Sequence, residues 1–117
     1  MIPKVSFIIS VFDQLDYTKR CLSCLEKTLK DKLTYEVLIV DDGSNEETIH
    51  YLHSLEEPHH VTFNSERKGF AKNNNLAASR AKGEYLCLFE SLFKPFCVNF
   101  KNLQHALPII LTKEKRN

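Results

Sequence analysis

The sequence predicts an α/β domain built on a mostly parallel sheet, and three observations carry that prediction. Short apolar, β-rich runs alternate with stretches long enough for helices, and strand–helix–strand spacing of this kind implies right-handed βαβ units. The first run, Lys4–Val11 (KVSFIISV), is continuous rather than alternating, the pattern of a strand buried on both faces. The chain has 117 residues, 43% hydrophobic and 26% charged, with no repeat or linker, which suits one domain around one core.

The elements follow in order. After the first strand, Asp13 is placed to cap a helix from about Gln14 to Leu29. Tyr17, Cys21, Leu25 and Leu29 recur every four residues with Leu22 and Cys24 beside them, giving one apolar face. Tyr35–Val40 reads as the second strand. Ser44 with Glu47 three residues on has the form of a capping box, so a helix is expected from near Asn45, with Ile49, Leu52 and Leu55 inward and Pro58 as its stop. His59 and His60 read as an exposed turn with no role, and Val61–Phe63 as a short strand. Gly69 opens a third helix (FAKNNNLAASRA) whose small residues suit close packing, and Gly83 is expected to end it as a left-handed cap. Glu84–Phe89 is the fourth strand. Asn99–Leu107 is expected to be helical, and Thr112–Asn117 to be a solvated charged tail.

Charge and cysteine usage narrow the function. The formal net charge of +1, without a long basic block, offers no electrostatic footprint for nucleic acid. The opening apolar run is too short for a signal core or a membrane span, so a cytoplasmic setting without a transmembrane segment is expected. Of four cysteines, Cys21 and Cys24 form a C-x-x-C on the apolar face of the first helix, with no second pair to complete a zinc site. They read as core residues.

In a parallel sheet ligands bind outside the carboxyl ends of the strands. That edge collects Ser10–Asp13, Asp41–Ser44, Asn64–Gly69 and Glu90–Phe93. The adjacent acids Asp41 and Asp42, which end an apolar strand at a cost in mutual repulsion, therefore sit where a ligand site belongs. The paired acids and Lys94-Pro95 superficially resemble a two-component receiver domain. That resemblance fails: a receiver needs a phosphorylatable aspartate one βαβ unit later, and no aspartate follows Asp42.

Four segments together point elsewhere. VSFIISVFDQLDYTKRCLSCL, YEVLIVDDGSNEET, the helix within NSERKGFAKNNNLAASRAKGEY and the strand that follows it occur in the order and at the spacing of family 2 glycosyltransferases. The resemblance covers about residues 4–92, leaving 93–117 as a divergent tail. It implies the GT-A fold, an α/β, Rossmann-like three-layer sandwich, of which this chain would be the nucleotide-sugar-binding half with the acceptor half absent. The implied donor is a nucleotide-diphosphate sugar, a uridine one. By resemblance, Ser10 and Phe12 lie near the nucleoside, with Phe12, where the family usually has tyrosine, stacking on uracil. Asp42 would accept the uracil N3–H, a task suited to an acceptor-only, charged group, and Asp41 would support the turn. Lys68 and Lys72 would offset the diphosphate, and Asn75 matches a family asparagine.

Two features depart from the family. A D-x-D motif should follow the fourth strand and hold Mg²⁺ or Mn²⁺ through hard oxygen ligands. Here Glu90 stands at its first acidic position and Leu92 at its last, so metal affinity is expected to be poor. The stretch that supplies the acceptor site and the general base of inverting members has no counterpart. This chain alone is therefore expected to bind a donor without efficient transfer. The alternative is a non-enzymatic interaction or subunit protein on a relic of the fold, associating with itself through the apolar region ESLFKPFCVNF.

Overall fold

A computed structural model describes residues 2–89 and 109–112 of the chain. The elements are β1 (Val5–Val11), α1 (Leu15–Leu29), β2 (Tyr35–Asp41), α2 (Glu46–His53), β3 (His59–Phe63), α3 (Phe70–Arg80), β4 (Tyr85–Phe89) and β5 (Ile109–Thr112). The sheet order is β3-β2-β1-β4-β5. The first four strands are mutually parallel, with Val5 opposite both Tyr35 and Tyr85. β5 runs antiparallel on the outer edge of β4. The α/β class and the parallel sheet are as expected. The edge strand is not, because IILT is a four-residue run between Pro108 and a charged tail. The expected helix over Asn99–Leu107, Glu90, Leu92 and the apolar stretch proposed for self-association lie outside the described residues.

The continuous apolar runs explain the layers. Successive strand side chains point to opposite faces. Phe7, Ile9 and Val11 of β1 thus join Val37 and Ile39 of β2, Cys87 of β4, Leu22, Leu25 and Leu29 of α1 and Leu52 of α2 on one face. Ile8, Leu38, Val40 and Leu86 meet Ala77 of α3 on the other, with Ala78 and Ala81 against them. Helices therefore cover both faces, and α3 does so with alanines, which allow close approach. Cys21 and Cys87 belong to the first layer, as core residues should; burial, with Cys24 beside it, pushes the Cys21 thiol up to about 12.

Four local expectations are corrected. Asp13 does not cap α1: it adopts φ 54° and Gln14, also left-handed, precedes the helix without a side-chain bond. The cap of α2 is Asn45 rather than Ser44, its side chain accepting from the Thr48 N–H at 2.9 Å. Asn45 has the extended φ/ψ of a cap, while the Ser44 hydroxyl is taken by the Asp13 N–H at 2.7 Å. His59 and His60 are not a turn but the start of β3, paired with Val37 and Leu38. Gly83 is not a left-handed cap either, since among the glycines only Gly43 and Gly69 have positive φ and Ala81 closes α3. Gly83 is needed for closeness: a Cβ there would lie 2.6 Å from Ser6 Oγ and 2.7 Å from Ser6 N.

Candidate functional site

The site lies at the carboxyl ends of β1, β2 and β3. The adjacent acids of β2 diverge, which removes most of their mutual cost. Asp41 is fully buried, and its Oδ2 accepts from the Gly43 and Ser44 N–H groups at 3.2 and 3.1 Å. This is an Asx-type turn, and Gly43 supplies the φ of 86° that it requires. Asp13 Oδ1 accepts from the Asn45 N–H at 2.7 Å, so the turns after β1 and β2 are tied together.

Asp42 turns instead toward the loop between β3 and α3. Its Oδ1 accepts from the Lys68 N–H at 2.7 Å and from Asn64 Nδ2 at 3.2 Å; its Oδ2 accepts from the Gly69 N–H at 3.2 Å. Burial would raise its carboxyl, but the Lys68 amide, the Asn64 side chain and the Gly69 amide outweigh it and hold Asp42 below the ordinary carboxylate value. Asn64 Nδ2 also donates to Asn73 Oδ1 at 2.8 Å, and Asn73 Nδ2 donates to Ser10 Oγ at 3.0 Å. One relay thus runs from Ser10 at the end of β1, through Asn73 on α3 and Asn64 after β3, to Asp42 at the end of β2.

Above this relay the Phe12 ring is 38% exposed. The Arg67 guanidinium carbon stands 3.8 Å from its centroid, and Arg67 Nε lies 3.6 Å from Asp42 Oδ2, beyond hydrogen-bond range. Asp42 itself is only 2% exposed, and of the roughly four acceptor positions of a carboxylate these hydrogen bonds take three.

The structure brings Ser10, Phe12, Asp41 and Asp42 of the expected set to one edge. Lys68 reaches it through its backbone amide, with its side chain in solvent. Lys72 and Asn75 are exposed on α3 and take no part in the relay among the described residues. The asparagine of α3 that enters the relay is Asn73. Its signal is helical spacing: Asn73 precedes the buried Ala77 by four residues, so both face the sheet. Asn64 and Arg67 carry no comparable sequence signal.

The described residues do not fit a divalent metal. Asp42 is engaged by N–H donors, Asp41 is closed into its turn, and no group of three or more His, Cys, Asp or Glu could hold an ion among the described residues. Glu90, the expected ligand, lies outside them. No described helix is long and apolar enough to cross a membrane.

An α/β sheet with helices on both faces, and a polar site at its strand ends, defines a Rossmann-like domain of the GT-A type. Residues 6–91 match the sequence profile of glycosyl transferase family 2, and the chain belongs to that family. It is 33% identical over 93 residues to a chondroitin synthase of Pasteurella multocida, covering 77% of this chain and 9% of the synthase. Among solved structures it is similar to S. aureus TarS residues 1–349 in complex with UDP. The TM-score is 0.66 at 26% identity, covering 75% of this chain and 27% of that one. It is also similar in fold to a mannosyltransferase of Pyrobaculum calidifontis in complex with GDP-Man and Mn²⁺. There the TM-score is 0.62 at 22% identity, covering 76% of this chain and 27% of that one. The chain spans about a tenth of the synthase and about a quarter of each solved chain.

Proposed function

We propose that this domain binds the nucleoside diphosphate of a uridine-diphosphate sugar, as the donor half of a sugar-transfer site. The observation that carries the reading is Asp42. It is a buried carboxylate kept ionised by three N–H donors, and it lies beside the half-exposed Phe12 ring, with Arg67 against both. Uracil offers the matching features, a flat ring to stack on Phe12 and an N3–H to donate to Asp42. The UDP complex of the TarS relative supports the choice of base.

The residues divide the work. Ser10, Asn73 and Asn64 fix the orientation of Asp42, and Asp41 fixes the turn that carries it. Lys68 and Lys72 flank the start of α3, whose first turn contains no acid, and both favour a diphosphate there. In the family reaction a sugar leaves that diphosphate for an acceptor. Among the described residues neither Asp41 nor Asp42 is placed to take a proton from an acceptor, because Asp41 is buried and Asp42 is occupied. Among the described residues the arrangement supports donor binding.

Calorimetric titration tests the reading. UDP is expected to bind, with GDP at least tenfold weaker and with no strengthening by Mn²⁺. Absence of binding at millimolar UDP would sink the donor-site reading and favour a non-enzymatic role. A clear gain with Mn²⁺ would show that a cation is held after all.

A further inference from the structure

The guanidinium of Arg67 touches both groups that the donor-site reading assigns to the base. It stacks on the Phe12 ring at 3.8 Å, and its Nε lies 3.6 Å from Asp42 Oδ2. A guanidinium is planar, delocalised and rimmed with N–H donors, so its contacts match those of a pyrimidine ring with an N–H edge. The separation leaves no place for a base between the two. A ring stacked on each side would need about 7 Å, twice the optimal contact distance between carbon layers.

We propose that Arg67 is an internal occupant of the base slot. In the ligand-free protein it covers the Phe12 face and partly compensates Asp42, and an incoming nucleobase binds by displacing it. The proposal rests on the donor-site reading and adds to it a built-in competitor. Displacement is easy by construction. Arg67 belongs to the 64–69 loop, its side chain is 62% exposed, and the loop is anchored through the backbone amides of Lys68 and Gly69 rather than through Arg67 itself. Once released, the cation lies beside Lys68, where it is free to meet a diphosphate. The competition is therefore seen most cleanly with a ligand that has no phosphate.

Uridine and UDP titrated into the unaltered protein, Arg67→Ala and Arg67→Lys, followed by NMR at the Phe12 ring and the Lys68 and Gly69 amides, test this. Removing the competitor is expected to tighten uridine binding roughly fivefold in Arg67→Ala, with a smaller gain in Arg67→Lys, whose ammonium cannot stack as a plane. UDP should gain less than uridine, since the alanine variant also loses a cation near the diphosphate. Unchanged or weaker uridine binding in Arg67→Ala, while the unaltered protein binds UDP, would overturn the competitor and leave the donor site standing. Failure of all three proteins to bind UDP would overturn both readings.

Discussion

Each end of the sheet sets a buried carboxylate of the β2 region into a hydrogen-bond network with a serine of β1, and the two ends put it to different use. At the amino end Glu36 Oε2 accepts from Ser6 Oγ at 2.6 Å and from the Lys82 N–H at 2.7 Å, while Ser6 Oγ accepts from the Gly83 N–H at 2.8 Å. At the carboxyl end Asp42 is tied through Asn64 and Asn73 to Ser10. Ser6 and Ser10 are four residues apart on one strand and share a face. What differs is the source of the other partners. Glu36 is held by strands and by the α3–β4 junction, where Gly83 has no room even for a methyl group. Asp42 is held by a loop whose Lys68 side chain stands in solvent and whose partly exposed Arg67 stacks on the Phe12 ring. The same chemistry joins two strands to the α3–β4 junction at one end and, at the other, ties the loop after β3 to the strand ends.

The largest effect should come from the closed end. Gly83→Ala forces a Cβ to within 2.6–2.9 Å of Ser6 and Val5, and overpacking of this kind costs about 2–3 kcal/mol. The urea midpoint should fall accordingly with the slope unchanged. Asp42→Asn comes next. It loses an acceptor for the loop amides, at about 1–3 kcal/mol, and hydrogen exchange at Lys68 and Gly69 should speed up together. A normal exchange pattern in that variant would break the contrast between a welded end and a loop-anchored one.

Asn73→Ala removes the middle of the relay and should cost about 1–2 kcal/mol, read from the same urea midpoint. Acid sharpens the Asp42 comparison. Because its carboxyl is depressed in the folded state, its contribution is fully present above the unfolded value of about 3.9. That contribution disappears as pH falls through the folded value. The stability gap between the unaltered protein and Asp42→Asn should therefore be widest near neutrality and close in acid. Lys72→Ala should matter least, shifting stability by less than about 0.5 kcal/mol and weakening UDP by roughly two- to fivefold in a salt-dependent way.

β1, β2 and β4 were legible because they are continuous apolar runs, and α3 because its alanines mark the side that must approach the sheet; the start of β3 at His59 and the edge strand β5 were not. The position of Asp41 and Asp42 at the carboxyl edge of the sheet was legible because of where parallel strands end. What the sequence hid depends on partners far along the chain. Glu36 looks like a polar slot in YEVLIV, yet its partners Ser6 and Lys82 lie 30 and 46 residues away. Ser44 and Asn45 are both fit to cap α2, and the choice between them is made by the Asp13 amide, a tertiary contact. Asn73 could have been preferred to Asn75 from its spacing to Ala77. Arg67 could not, since nothing in SERKGF distinguishes one loop cation from the next.

The central claim is that Asp42 reads the N3–H of a uracil ring, and a ligand can test it without disturbing the loop that Asp42 anchors. UDP and N3-methyl-UDP differ only at that atom. Titrated calorimetrically into the same protein, UDP is predicted to bind at least tenfold more tightly, the scale of a lost hydrogen bond to a charged group. Equal affinities for the two nucleotides would contradict the account.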